Sequence, residues 1–200
     1  MIGVIDYQAG NLRSVETALH HLGISFRVTD DPDGLGAFDR LLFPGVGAAG
    51  QAMTVLRTRG LDRAVPDWLD RGRPMLGICI GMQVALEHSE ESDTRCIGLV
   101  PGRVRHFPEQ PELKVPHMGW NEVHHSGHWL FQEIPDGSTF YFVHSYYPEP
   151  GELVESIGST VYGLRFTAAL EHGNFLATQF HPEKSGEHGL RLLSNFAKGG

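Results

Sequence analysis

Apolar and polar positions follow two different rhythms in the first eighty residues of this chain. Residues 1–6, Met1-Ile2-Gly3-Val4-Ile5-Asp6, are an apolar run closed by an acid and predict a buried strand. Leu12, Val15, Ala18, Leu19 and Leu22 then recur at helical spacing, which predicts a helix from about Asn11 to Leu22 with Asn11 as its cap. A second strand is expected over Ser25–Thr29, ending at the turn-forming run Asp30-Asp31-Pro32-Asp33-Gly34. A third, Arg40-Leu41-Leu42-Phe43, enters Pro44-Gly45-Val46-Gly47. Helical patterns cover roughly 48–58 and 62–71, and the apolar run Pro74–Ile78 delivers Cys79. Strand and helix patterns that alternate in this way predict a parallel sheet with helices on both faces.

Beyond about residue 97 the texture changes. Short aromatic or β-branched runs at 139–143, 152–157, 161–165 and 168–171 are separated by Gly and Pro and suggest antiparallel hairpins beside the parallel core. Phe175–Phe180 is a further strand-like run, and Glu187–Ala197 has helical spacing. No repeat, low-complexity tract or linker interrupts the chain. One mixed α/β domain over 1–200 is the expectation.

Composition narrows the function. The formal charge is −8 and only three of the sixteen basic residues are Lys, a poor match for a phosphate-binding surface, so nucleic acid is not an expected partner. The first six residues lack the basic segment of a secretory signal. The longest nearly uncharged run, Met75–Leu86, is too short to span a bilayer. A cytoplasmic protein with Cys79 and Cys96 as free thiols is expected.

Two short stretches carry the chemistry. Gly77-Ile78-Cys79-Ile80-Gly81 at a strand-to-helix junction is the thiol counterpart of the nucleophile elbow Gly-x-Ser-x-Gly. Small residues at 77 and 81 let strand and helix approach, the turn strains Cys79, and the following helix aims N–H groups at the sulfur, which favours thiolate. Ile80 N–H could serve a developing oxyanion. A buried structural cysteine between packing glycines accounts for the motif equally well. The second stretch, His181-Pro182-Glu183, closes the Phe175–Phe180 run. On a strand, residues two apart share a face, so Glu183 could orient His181 as the third member of a triad. A surface turn with a solvated carboxylate is the plainer account of that motif alone. The two stretches together give nucleophile, base and orienting group, the minimum for acyl transfer through a covalent intermediate.

Gly45-Val46-Gly47-Ala48-Ala49-Gly50 also fits a dinucleotide-binding fingerprint. The next convincing strand ends at Cys79 and not at an acidic residue, so the loop fits better as a backbone contribution to an oxyanion hole facing Ile80. Neither a cofactor nor a metal is expected. The cluster His124-His125-Ser126-Gly127-His128 reads as an exposed turn, and Cys96 as a small buried hydrophobe. For His144, both a place in the site wall and a packing role stay open.

Gly-Ile-Cys-Ile-Gly-Met-Gln at 77–83 with Phe-His-Pro-Glu at 180–183 resembles the class I, triad-type glutamine amidotransferases. Within them, Gly10–Val15, Pro116-His117-Met118-Gly119-Trp120-Asn121 and Phe142–Tyr147 resemble the glutaminase subunit of imidazole glycerol phosphate synthase. Gln8, where that group usually has Gly, is a departure that touches no catalytic role. The resemblance implies the flavodoxin-like amidotransferase architecture and Cys79, His181 and Glu183 as catalytic residues. It further implies an oxyanion hole from Val46, Gly47 and Ile80, and Gln83, Ser145 and Tyr146 holding L-glutamine. Asn11, Trp120 and Tyr141 would face a (β/α)₈-barrel cyclase subunit that takes up the ammonia. A core position is the other reading of Trp120. Related glutaminases for anthranilate, carbamoyl phosphate or pyridoxal phosphate are the main rival, and Pro116–Asn121 argues against them. A catalytically dead scaffold on the same fold is disfavoured because all three triad residues are present.

Overall fold

The computed structural model describes residues 1–7 and 12–199. Strands β1 (Ile2–Ile5), β2 (Phe26–Thr29), β3 (Arg40–Gly45) and β4 (Met75–Cys79) alternate with helices α1 (Leu12–His21), α2 (Ala49–Arg59) and α3 (Leu61–Asp70), all within a few residues of the periodicity. A four-residue helix, α4 (Ile80–Gln83), follows β4 directly. After it come β5 (His88–Ser89), β6 (Thr94–Arg95), β7 (Gly102–His106), β8 (His117–His125), β9 (Ser138–His144) and β10 (Tyr146–Pro150). The chain finishes with β11 (Glu155–Tyr162), β12 (Leu164–His172), β13 (Phe175–Thr178) and α5 (Gly186–Lys198).

Among the described residues the main sheet runs β2-β1-β3-β4-β13-β12-β11-β8-β9. Its first five strands are parallel, and β12, β11, β8 and β9 extend it by antiparallel pairing. The parallel strands read as continuous apolar runs because both faces are covered: every residue of β1, β4 and β13 is buried. A smaller sheet, β10-β7-β5-β6, packs alongside. Its first strand continues from β9 after Ser145, so the two sheets meet at the 144–146 corner.

Three local expectations are corrected. The run 161–165 is not one strand: Gly163, at φ +70°, turns the chain between β11 and β12. Residues 152–154 precede β11, which starts at Glu155. His124 and His125 belong to β8, and only residues 126–128 form the connection beyond it. Those histidines have local partners: His124 meets Asp136 at 3.3 Å, His125 the Ile134 carbonyl at 3.1 Å, and His128 meets Glu171 at 3.2 Å. Among the described residues no helix is long and apolar enough to cross a membrane.

Candidate active site

β4 ends at the centre of the sheet, hydrogen-bonded between β3 and β13, and sets Cys79 down at the start of α4. The strand-to-helix reversal within one residue forces Cys79 to φ 54°, ψ −104°, a conformation L-residues avoid. The neighbouring glycines are required by backbone contact. A Cβ on Gly81 would lie 1.8 Å from the Phe43 carbonyl oxygen, and one on Gly77 would lie 2.9 Å from the Gly81 backbone. Cys79 is buried, and a cavity of about 490 Å³ opens over it. Val46, Gly47, Ile80, Gln83, Ser145 and Tyr146, six of the residues expected there, line that cavity with it. Just after the Val46–Gly47 loop, Glu91, which also lines the cavity, accepts the Ala49 N–H on Oε2 at 2.6 Å. Gly47 sits at φ +99°.

β13 is hydrogen-bonded to β4, and this brings His181 to the same end of the sheet. The expectation that His181 and Glu183 share a face of a strand is corrected. β13 stops at Thr178, and Pro182–Lys184 is a 3₁₀ turn with Pro at its start, where a missing N–H costs nothing. The turn still closes the pair: His181 Nδ1 lies 2.8 Å from Glu183 Oε1, with both side chains almost fully buried. Ser185 braces the turn by donating to the His181 carbonyl at 2.6 Å and accepting the Tyr141 N–H at 3.0 Å. Burial opposes a charge on His181, but the neighbouring Cys79 sulfur and the Glu183 carboxylate outweigh it and push its pKa up to about 10. Nδ1 therefore donates to Glu183, while Nε2, across the ring, is buried with no hydrogen-bond partner. Cys96 is different in kind: burial raises its thiol to about 11, and its sulfur donates to the Thr94 carbonyl at 3.5 Å.

His144 serves both of the roles left open for it, lining the cavity while packed and hydrogen-bonded. Its Nδ1 lies 2.8 Å from the Tyr146 carbonyl, which can only accept, so Nδ1 carries the proton and Nε2 is an acceptor. His117 Nδ1, 3.0 Å from that Nε2, must then donate, leaving His117 Nε2 to accept from Asn121 Nδ2 at 3.3 Å. The His117 ring is stacked between Phe142 and Tyr162 at 4.6 and 3.9 Å. Each ring gives one hydrogen bond and takes one, which only neutral imidazoles can do. Burial accordingly lowers His117 to about 4, and burial above all lowers His144 to about 3, with nearby His181 adding to it.

In the unfolded chain both return to about 6.5. A base whose folded pKa lies below its unfolded value binds fewer protons when folded, so its contribution is complete above about pH 6.5 and is lost as pH falls. For His144 the loss amounts to about 2 kcal/mol by about pH 5. Urea unfolding at the two pH values is expected to show a lower midpoint in acid, and His144→Gln a smaller decline than the parent. An equal decline in both would show that the ring titrates normally.

On the outward side of β8, Met118 and Trp120 are 63% and 58% exposed, so Trp120 is a surface and not a core aromatic. Its ring meets Tyr141 edge-on at 6.1 Å, and the Lys184 ammonium lies 5.9 Å from the Tyr141 centroid. Asn11 and Gln8 lie outside the described residues.

The parallel core carries a strained cysteine turn and a buried His–Glu pair at one end of the sheet. The glutamine amidotransferase class-I family model matches residues 3–199, and the chain belongs to that family. It is 50% identical over 203 residues to imidazole glycerol phosphate synthase subunit HisH of Pseudomonas putida, covering 98% of this chain and 95% of the relative. It is 44% identical over 200 residues to the subunit of the same name from Dehalococcoides mccartyi, covering 99% and 97%. Among solved structures, a glutamine amidotransferase crystal structure superimposes with a TM-score of 0.75 at 20% identity, covering 98% of this chain and 97% of that one. PurLQS from Thermotoga maritima gives 0.76 at 18% identity, covering 98% and 97%. These two likenesses speak for the fold.

Proposed function

We propose that this chain is the glutaminase subunit of an imidazole glycerol phosphate synthase, a single domain of the cytoplasm that passes ammonia to a (β/α)₈-barrel cyclase. The observation that carries the reading is the buried His181–Glu183 pair at the same end of the sheet as a cysteine held at a strained elbow. The roughly half identity to relatives that carry the synthase subunit's name, over nearly their whole length, supports the choice among amidotransferases.

The chemistry follows from the charges. The Cys79 sulfur and the Glu183 carboxylate beside it push the pKa of His181 up to about 10. The thiolate of Cys79 attacks the glutamine side-chain carbonyl: the C–S bond forms and the π pair moves to oxygen, held by Ile80 N–H and the Val46–Gly47 backbone. Attack quenches the charge on sulfur and with it much of what retained the imidazolium proton. That proton passes to the amide nitrogen, the C–N bond breaks and ammonia leaves. Water, giving a proton back to His181, then attacks the γ-glutamyl thioester and releases glutamate and thiolate. Gln83 and the Ser145–Tyr146 segment hold the amino-acid end of the substrate. Trp120 and Tyr141, with Asn11, form the docking face for the cyclase. An enclosed exit there keeps ammonia unprotonated and nucleophilic.

The reading is tested with a glutamine-derived diazo-ketone. One equivalent is expected to label the chain, on Cys79, with glutamine protecting. Cys96, with its raised pKa and buried sulfur, stays unmodified. Labelling of Cys96 in place of Cys79 would reverse the assignment. Co-purification of a synthase partner other than the cyclase would reverse the choice of pathway.

A further inference from the structure

Gln179 is fully buried two residues before His181, with its backbone N–H on the Ala168 carbonyl at 2.8 Å. Its side chain faces the reacting sulfur: Nε2 lies 3.6 Å from Cys79 Sγ. Which end of the amide faces the sulfur is settled by the neighbours. The Tyr146 carbonyl can only accept, so the group that Gln83 turns toward it, at 3.0 Å, is the NH₂. The same NH₂ reaches Gln179 at 2.9 Å, so Gln179 presents its oxygen there and its own NH₂ to Cys79. The Tyr146 carbonyl is in turn held by His144 Nδ1. A donor so fixed gives a charge-assisted hydrogen bond to a thiolate.

We propose that Gln179 is a further catalytic residue, the N–H donor that receives the sulfur's negative charge when the γ-glutamyl thioester is hydrolysed. The proposal rests on Cys79 being the nucleophile. In the hydrolytic step water adds to the thioester carbonyl, the C–O bond forms, the C–S bond breaks and its electron pair returns to sulfur. The N–H···S bond is weak while that pair is shared with carbon and strong once it is released, so it favours expulsion of the thiolate. Removing it slows deacylation more than acylation.

Gln179→Met keeps the length of the side chain and removes the donor. In the complex with the cyclase, kcat for glutamine hydrolysis is expected to fall about 10- to 100-fold, the range for a hydrogen bond to a charged group. KM does not rise, and intact-mass measurement after acid quench finds more Cys79 carrying the γ-glutamyl group than in the parent. Ammonia-dependent synthesis serves as the control for docking. If the Met variant does not fold, Gln179→Asn retains an amide but withdraws it by one methylene, and the same readouts apply. A raised KM with unchanged kcat and no thioester build-up would show that Gln179 only braces Gln83, which overturns the proposal. Turnover by the parent with no γ-glutamyl group trappable on Cys79, even by hydroxylamine, would instead overturn the nucleophile on which it rests.

Discussion

Cys79→Ala is expected to abolish glutamine-dependent synthesis by the complex and to leave ammonia-dependent synthesis at the parent rate. The two halves of that result have separate causes. Without the sulfur no thioester forms, and the remaining groups cannot substitute: His181 is locked against Glu183, and Cys96 is built into the core around Thr94. Losses of this kind reach 10⁴-fold or more where a nucleophile is deleted from a triad. Under the proposed function, a cyclase partner supplied with ammonia bypasses this site. The substitution removes one buried atom from a wall of the cavity and, beyond the contact with Gln179, leaves the surrounding backbone in place, so the fold and the Trp120 face are expected to persist. Initial rates with glutamine and with ammonium salt at alkaline pH, on the same preparation, measure both halves. Appreciable glutamine-dependent turnover in the variant would show that another group performs the attack.

The cysteine elbow and the His–Glu pair were legible because the local geometry demands particular residue types at short spacing. Gly-x-Cys-x-Gly needs two glycines where strand and helix backbones touch, and His-Pro-Glu places its pair within one turn. The parallel half was legible for a related reason: buried parallel strands are continuous apolar runs, as β1 and β4 are. β8 was not. His117-Met118-Gly119-Trp120-Asn121-Glu122 has neither a β-branched run nor a simple apolar alternation. Its inward positions are filled by His117 and Asn121, which are acceptable there only because His144 and Val161 supply hydrogen-bond partners from other strands. The two-residue strands β5 and β6 are too short to leave a periodic signal. Gln179 went unnoticed because nothing local marks it. Its partners are Gln83 and Cys79, each about a hundred residues away and brought to it by the pairing of β13 with β4. A polar residue inside a mostly apolar run, directly before Phe-His-Pro-Glu, was the available hint.

Gly81→Ala puts the elbow itself to the test and is expected to be the most destabilising single methyl group in the chain's active-site region. The added carbon would sit 1.8 Å from the Phe43 carbonyl oxygen and 2.9 Å from its carbon. A flexible side chain could swing away from such a clash, but this neighbour is backbone. Phe43 lies in β3, paired to β1 on one side and β4 on the other, so moving its carbonyl breaks ladders in the centre of the sheet. The alternative is for α4 to withdraw, which carries Ile80 and Gln83 away from the cavity and relaxes the positive φ of Cys79. Overpacking of this severity costs about 3 kcal/mol or more. For a domain of this size that corresponds to a fall of roughly 6–12 °C in Tm. Glutaminase activity should fall further than stability explains, because whichever backbone yields, the sulfur and the oxyanion donors no longer share one geometry. Calorimetry and a glutaminase assay well below the lowered Tm separate the two effects. A variant with parental Tm and parental kcat would mean that helix and strand are not in contact at Gly81, and the strained turn would lose its structural cause.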